Sequence, residues 1–571
     1  MDLKNEIASS DPYSERKMPF RKYKPFVPIL LEDRTWPDNT ITKAPAWCSV
    51  DLRDGNQALI EPMTPLEKHK MWDLLVEIGF KQIEVGFPAA SQTDYDFVRK
   101  IVEQKLIPDD VTIQILCQAR EDLIERSCEA LSGAKRVIFH LYNSTSALQR
   151  RVVFGMEKSQ VIDLATTGTR MVRKYTDGLV KEGTMLTLEY SPESFSATEL
   201  DFSIEICSAV MDAWSSTNGD RIILNLPATV EMSTPNVYAD QIEYFIRNLP
   251  NRERAIISLH THNDRGSGVA ASELGLMAGA ERIEGTLFGN GERTGNLDVV
   301  TMAMNMFSQG VDPELYLKDM KKIVAVSEEC TKIPIHVRQP YAGELVFTAF
   351  SGSHQDAIKK GMNYVSSGTD GSWEVPYLPI DPEDVGASYR ETVRLNSQSG
   401  KGGVAFVLEH YFGVTLPRAL LMEFSSLVQE ISEKVGGELK PDEIWSAFSK
   451  EYVNNAGPYE LLAYELSASD SGREILNGMI KVSENEININ GSGSGPIAAF
   501  VDALVKTLNE PLNVVDYQEY ALNKGSQAKA ICIMALEDET KERFYGVGTS
   551  QNTNRAAFDS ILSSLNRKWS K

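Results

Sequence analysis

The chain is 571 residues long, 42% hydrophobic and 24% charged, with a formal net charge of -22 at neutral pH. That composition supports a large packed core and excludes disorder as the main state, and the length calls for one large domain plus one or two smaller ones. A field this negative repels a phosphate backbone and an anionic membrane surface, so no nucleic acid or membrane is expected as a partner, and an anionic small substrate needs local cations.

The N-terminal MDLKNEIASS carries acidic residues early and no apolar segment, so neither a secretory signal nor an Arg-rich transit peptide is expected. No stretch reaches the roughly 18 apolar residues of a membrane span. The 6 cysteines form no CxxC pair, which points to a reducing compartment, the cytoplasm, and away from a thiolate zinc site. Residues 1–40, including RKMPFRKYKPFVPIL, mix proline, aromatic and basic residues without a helix or strand period and read as an extended arm packed on another surface.

From Trp47 to Asn296 eight apolar or β-branched runs alternate with helix-compatible segments: WCSVD, QIEVGF, VTIQIL, RVIFHLY, LTLEY, RIILNL, AIISLH and RIEGTLF. The first helix carries its own punctuation, with Thr64-Pro65-Leu66-Glu67 as a capping box with proline at its first position and Gly79 as its stop. Eight such units over about 250 residues predict a (β/α)8 TIM barrel over 41–330, with a doubly wound open sheet as the alternative. Over 331–435 the loop-like FSGSHQDA, EVPYLPIDPEDVG and NSQSGKGG predict a helical linker region with subdomains. The last of these lacks the spacing of a phosphate loop and reads as a turn. LVQEISEKVGGELKPDEIWSAF has helical spacing, and EININGSGSGPIAAFVDALVKTL, AICIMALED and RFYGVGTS predict a separate α+β domain, placed at 436–571.

In a barrel of this class the site forms where strands end, so the polar residues just past each run are the ones to collect. They are Arg53 and Asp54 after the first strand, His140 on the fourth, Ser191 and Glu193 on the fifth, Thr229 after the sixth, His260 and His262 on the seventh, and Glu292 and Asn296 after the eighth. Residues two apart on a strand face one side, so His260 and His262 present both imidazoles inward. Barrel closure brings Asp54 and Asn296 beside them. Two imidazoles and a carboxylate suit a divalent cation, Mg2+ with Mn2+ or Zn2+ as alternatives.

LRDGNQ, HTHND and GNGERTGN together resemble the metallo-aldolase barrels that condense or cleave carbonyl compounds around an Arg-Asp-Glu site. EYSPESF, FSGSHQDA, VPYLPIDPEDVG and RLNSQSGKGG narrow the resemblance to the 2-isopropylmalate synthase family in its longer form, over nearly the whole chain. The resemblance implies an acyltransferase that condenses acetyl-CoA with 3-methyl-2-oxobutanoate (2-oxoisovalerate) and hydrolyses the thioester to 2-isopropylmalate and CoA. This is the entry step to leucine biosynthesis, inhibited by leucine. It further implies that Arg53 stabilises the developing alkoxide, that Glu292 fixes Arg53 by ion pairing, and that His140, Ser191 and Thr229 form the oxo-acid pocket. Glu193, His354 and Tyr377 are all left as candidates for the base. The last two are expected to lie outside the barrel and to reach the site of the partner subunit in a homodimer. Gly493, Gly495, Pro496 and Ala498 are the expected leucine contacts. The alternatives are a citramalate or homocitrate synthase, or a leucine- and metal-binding sensor without catalysis.

Overall fold

The computed structural model describes residues 22–27, 29–214, 221–349, 351–366, 368, 371–387, 401–435, 439–468, 472–522 and 528–570. The first 21 residues of the arm and residues 388–400, which hold most of RLNSQSGKGG, lie outside the described residues. The chain divides into two compact units, Met1–Val346 and Phe347–Lys571.

The first unit is built on eight parallel strands: β1 (Ala46–Ser49), β2 (Gln82–Gly86), β3 (Thr112–Gln118), β4 (Arg136–Ser144), β5 (Met185–Glu193), β6 (Ile222–Ala228), β7 (Ala255–Thr261) and β8 (Arg282–Gly285). β1 pairs with both β2 and β8, so the sheet closes on itself and the doubly wound alternative falls. All eight apolar runs become strands because helices cover the barrel outside and side chains fill it inside, leaving neither face wet. The helix Pro65–Ile78 has the expected capping box at Thr64 and Glu67 and stops at Gly79 in the left-handed conformation. Of the arm, Arg34 donates to both carboxylate oxygens of Asp240 at 2.9 Å, and Trp36 Nε1 donates to the same group at 2.8 Å. This fastens the arm to the helix Pro235–Asn248.

Directly after β1 the chain makes a five-residue π-helical turn, Asp51–Gly55, whose Gly55 N–H donates to Val50 O at 3.1 Å. β4 and β5 run past their neighbours to Ser144 and Glu193, raising the end of β5 above the barrel rim.

The second unit opens with the helices Gly352–Ser366, Lys401–Phe412, Arg418–Val435 and Pro441–Tyr452. Two three-stranded antiparallel sheets follow, each completed by a helix. β9 (Tyr459–Ala468), β10 (Glu474–Val482) and β11 (Asn485–Gly493) carry the helix Pro496–Leu508, and β12 (Asn513–Ala521), β13 (Ala530–Glu537) and β14 (Arg543–Ser550) carry Thr553–Ser570. Both helices lie close on glycines: a Cβ at Gly493 would meet Ala499 N at 2.4 Å, and one at Gly548 would meet Ala556 O at 1.9 Å. β13 is buried along both faces. Cys532, Met534 and Leu536 join the core shared with β9–β11, while Ile531, Ile533 and Ala535 pack with Leu420, Phe424, Ile444 and Phe448 of the preceding helices. A strand sandwiched this way reads as the unbroken apolar run AICIMAL.

No helix among the described residues is long and apolar enough to cross a membrane. All six cysteines are unpaired and buried.

Candidate active site

A cavity of about 240 Å3 opens at the C-terminal end of the barrel strands. Its walls include Arg53, Asp54, His140, Ser191, Glu193, Thr229, His260, His262 and Glu292, so barrel closure gathers nine of the residues picked from strand ends.

Asp54, His260 and His262 are buried and point one atom each at a common centre. His260 Nε2 lies 3.3 Å from Asp54 Oδ2 and 3.3 Å from His262 Nε2, and His262 Nε2 lies 3.9 Å from the same oxygen. The other side of His260 settles its tautomer. Nδ1 faces Glu284 Oε2 at 2.9 Å, and an ionised carboxylate only accepts, so in the neutral imidazole the proton sits on Nδ1 and the Nε2 lone pair is turned to the centre. Asp54 Oδ2 has no hydrogen-bond donor, and neither does the buried Oδ1 of Asn296, which bridges to His262 through the backbone. Unpartnered buried oxygens of this kind fit the coordination of a cation.

The electrostatics agree. Burial opposes a charge on His260, but the adjoining carboxylates of Asp54 and Glu284 outweigh it and push its pKa up to about 9. Burial and the neighbouring His260 push His262 down to about 3. Asp54 is held well below the usual carboxylate range by Arg53 and the two histidines, against its burial. The three groups together accommodate one positive charge between them, which a metal supplies better than a proton.

Arg53 is ion-paired at both ends, Nη1 to Asp54 Oδ1 at 2.6 Å and Nε to Glu84 Oε2 at 2.6 Å. The expected pairing with Glu292 is therefore corrected to Glu84. β2 adjoins β1 and aims Glu84 directly at the guanidinium, whereas Glu292 stands on the loop after β8 and lines the cavity without holding Arg53. Glu84 Oε1 also faces His140 Nδ1 at 2.9 Å, and His140 Nε2 meets Ser191 Oγ at 2.7 Å. Thr229 Oγ1 accepts from Ser194 N at 3.0 Å, leaving its O–H to donate into the cavity. At the rim, Glu193 accepts from the hydroxyl of Ser144.

Beneath this floor lies a layer that the strand-end rule passes over. Glu84, Gln114, Asn225, Arg282 and Glu284 are all buried within the barrel, together with Glu189 at the end of the run LTLEY, which that rule does reach. Arg282 pairs with Glu189 at 3.2 Å and Glu284 at 3.0 Å. Burial and the adjoining Glu284 push the Glu189 pKa well up, while Glu284, despite burial, is held well down by Arg282 and His260. The signal was present as polar residues inside the apolar runs QIEVGF, VTIQIL, RIILNL and RIEGTLF, the last of which holds both Arg282 and Glu284.

His354 and Tyr377 belong to the second unit, where their rings stack with centroids 3.9 Å apart. A separate cavity there, of about 540 Å3, is lined by Gly495, Pro496 and Ala498 together with Val501, Asp502, Leu512 and Val514. Gly493 is not on its wall; it sits under the following helix instead.

Comparison with known proteins adds the family. The model described as HMGL-like matches residues 44–327, the alpha-isopropylmalate synthase post-catalytic domain-like model matches 344–409, and the LeuA allosteric (dimerisation) domain matches 438–569. A 2-isopropylmalate synthase of Rhodospirillum rubrum is 53% identical over 96% of this chain and 98% of its own length. The chain belongs to the 2-isopropylmalate synthase family. Relatives of the same name in a Parafrankia species, 53% identical over 97% of this chain and 99% of their own, and in Clostridium acetobutylicum, 51% identical over 96% and 99%, agree. This family member is accordingly an acyltransferase, and its barrel, post-catalytic segment and C-terminal domain follow in the family's order.

Proposed function

We propose that the cavity condenses acetyl-CoA with 3-methyl-2-oxobutanoate to give, with water, 2-isopropylmalate and CoA. The observation that carries this reading is the meeting of Arg53, Asp54, His260, His262 and Glu193 in one cavity whose remaining walls offer small donors. Asp54, His260 and His262, with Asn296 beside them, would hold a divalent cation, Mg2+ or alternatively Mn2+ or Zn2+. Such an ion polarises the ketone of a chelating 2-oxo acid. Ser191, Thr229 and His140 suit the substrate carboxylate and the acceptor side chain. Arg53, clamped by Glu84 and Asp54, is a preorganised donor for the oxygen that gains negative charge as the new C–C bond forms; one such donor is worth about 2.7–4 kcal/mol. A base must first take a proton from the thioester methyl. Glu193 stands at the rim for that task, and the stacked His354 and Tyr377 of a partner subunit are the alternatives, which makes the functional unit a homodimer. Water then cleaves the thioester and CoA leaves as the thiol.

The cavity beside Gly495, Pro496 and Ala498 has an apolar wall of Val501, Leu512 and Val514 and an acid, Asp502. That chemistry suits an aliphatic amino acid, and we assign it to leucine as a feedback effector. The test is thiol release from acetyl-CoA with 3-methyl-2-oxobutanoate, pyruvate and 2-oxoglutarate, each with and without leucine. Preference for the branched acceptor, suppressed by leucine, supports the reading. Preference for pyruvate or 2-oxoglutarate moves the activity to citramalate or homocitrate formation, and absence of thiol release leaves a sensor.

A further inference from the structure

Lys68 has no exposed surface, although its side chain ends in an amine. It lies in the first turn of the helix Pro65–Ile78, and nothing in the reaction above uses it. An ammonium is buried at a penalty unless it is paired and hydrogen-bonded, and here it makes two directed contacts. Nζ donates to Asp94 Oδ1 at 2.5 Å and to the carbonyl oxygen of Leu52 at 3.3 Å. The Asp94 carboxylate is itself pinned, since Oδ2 accepts from Phe87 N at 2.8 Å, and it occupies the space a Cβ on Gly86 would need. Phe87 follows β2, the strand that carries Glu84.

Leu52 belongs to the π-helical turn Asp51–Gly55, and the two residues after it are Arg53 and Asp54. The opposite side of that turn is tied to the loop after β8. Asp51 Oδ1 accepts from Leu287 N at 3.0 Å, and Asn290 Nδ2 donates to Gly55 O at 3.0 Å. The turn is thus held from the β8 side by backbone-directed hydrogen bonds, and on the opposite side by two charged groups, Glu84 on the Arg53 side chain and Lys68 on the carbonyl immediately before Arg53. Active-site groups tolerate little displacement, and a shift of about 1 Å can reduce turnover by about 100-fold.

We propose that the Lys68–Asp94 pair is a positioning device for the Arg53–Asp54 turn, fixing where Asp54 Oδ2 stands relative to His260 and His262 and so how tightly that trio holds a divalent cation. The inference rests on the reading of the trio as a cation site. Lys68 and Asp94 are positioning residues, since neither lines the cavity.

The discriminating variant is Lys68→Met/Asp94→Asn in the full-length protein, which removes both charges, keeps the volumes and leaves an acceptor for Phe87 N. Mn2+ binding is measured by titration calorimetry, alongside the melting midpoint of the metal-free protein and kcat at saturating Mn2+. Loss of a group that orients a ligand typically weakens metal affinity by about 10- to 100-fold. A loss of that size is expected here, with kcat reduced at least about tenfold and the KM for acetyl-CoA within about twofold of the parent. Mn2+ affinity and kcat both within about twofold of the parent, whatever happens to the melting midpoint, would make the pair a plain stabilising contact and overturn the proposal. Should the double variant fail to fold, Asp94→Asn alone keeps Lys68 in place and is read the same way, with a decrease of about three- to tenfold in Mn2+ affinity expected and none overturning the proposal. A parent protein that takes up no Mn2+ removes the cation reading itself, and the positioning role then stands or falls on kcat alone.

Discussion

Replacing Glu84 by glutamine separates the two candidates for holding Arg53. The carboxylate is fully buried and serves three groups: Oε2 accepts from Arg53 Nε at 2.6 Å, while Oε1 faces His140 Nδ1 at 2.9 Å and Gln114 Nε2 at 3.2 Å. A glutamine of the same shape has one acceptor and one NH2. Whichever way the amide is turned, the NH2 meets an N–H, either that of Arg53 or that of Gln114. Neutralising one partner of a buried pair costs about 3–5 kcal/mol, and part of it appears as a guanidinium that is no longer aimed at the reacting oxygen. Loss of one such donor lowers kcat by about 100- to 1000-fold. The assay is thiol release with saturating 2-oxo acid and Mg2+, together with thermal unfolding. Glu292→Gln, run beside it, should leave the melting midpoint unchanged, because Arg53 keeps both its partners. If Glu84→Gln retains kcat to within about threefold, with an unaltered melting midpoint, the account of Arg53 is wrong.

Asp54→Asn should weaken Mn2+ binding by about 100-fold or more, since it removes the one carboxylate of the trio; calorimetric titration checks this, and unchanged uptake would displace the metal to another group. Asp51 has its pKa pushed up to about 6 by burial, only partly opposed by its hydrogen bonds from Ser49 and Leu287. A buried acid with a raised pKa binds its proton more tightly when folded, so its contribution to stability is complete below the ordinary aspartate value and is lost as pH rises through about 6. Two units correspond to about 3 kcal/mol. Asp51→Asn should therefore flatten the stability curve between pH 4 and about 6.5 and be at least as stable as the parent at neutral pH, as urea unfolding would report; parallel curves would contradict this. Gly548→Ala puts a methyl 1.9 Å from Ala556 O and should destabilise the C-terminal unit by about 1–3 kcal/mol while leaving Mn2+ affinity untouched. Differential scanning calorimetry of the variant would register the lost transition temperature.

The barrel was legible because its strands are buried on both faces and read as apolar runs, and the site was legible where polar residues break those runs at their ends, as Arg53, Asp54, His260 and His262 do. Glu84, Gln114, Asn225 and Glu284 were not, since each sits inside a run and passes for an interruption. Their inward direction follows only from the two-residue alternation of a closed barrel, which also decides that Glu84, not Glu292, reaches Arg53. β9, YELLAYELSA, and β12, NVVDYQEYA, escaped notice for the opposite reason: much of each is exposed, so polar residues dilute the apolar pattern. β13, covered on both sides, stood out at once. The glycines of GSGSGP drew attention as effector contacts; Gly493 is instead explained by the close approach of the helix behind it.

The two-sided cover of β13 has a consequence for how the chain is made. The strand's seven-residue apolar run AICIMAL, with no charge and no proline, is the kind of segment that adheres to copies of itself while uncovered. The helices that shield one of its faces, Arg418–Val435 and Pro441–Tyr452, lie before it in the sequence, whereas the helix Thr553–Ser570, whose Ser560 Oγ donates to Cys532 Sγ at 3.4 Å, packs on its other face and follows it. Synthesis from the N-terminus therefore delivers one cover before the vulnerable strand leaves the ribosome and the other only with the last helix, and a circular permutant that begins at β12 would emerge without the first cover and aggregate.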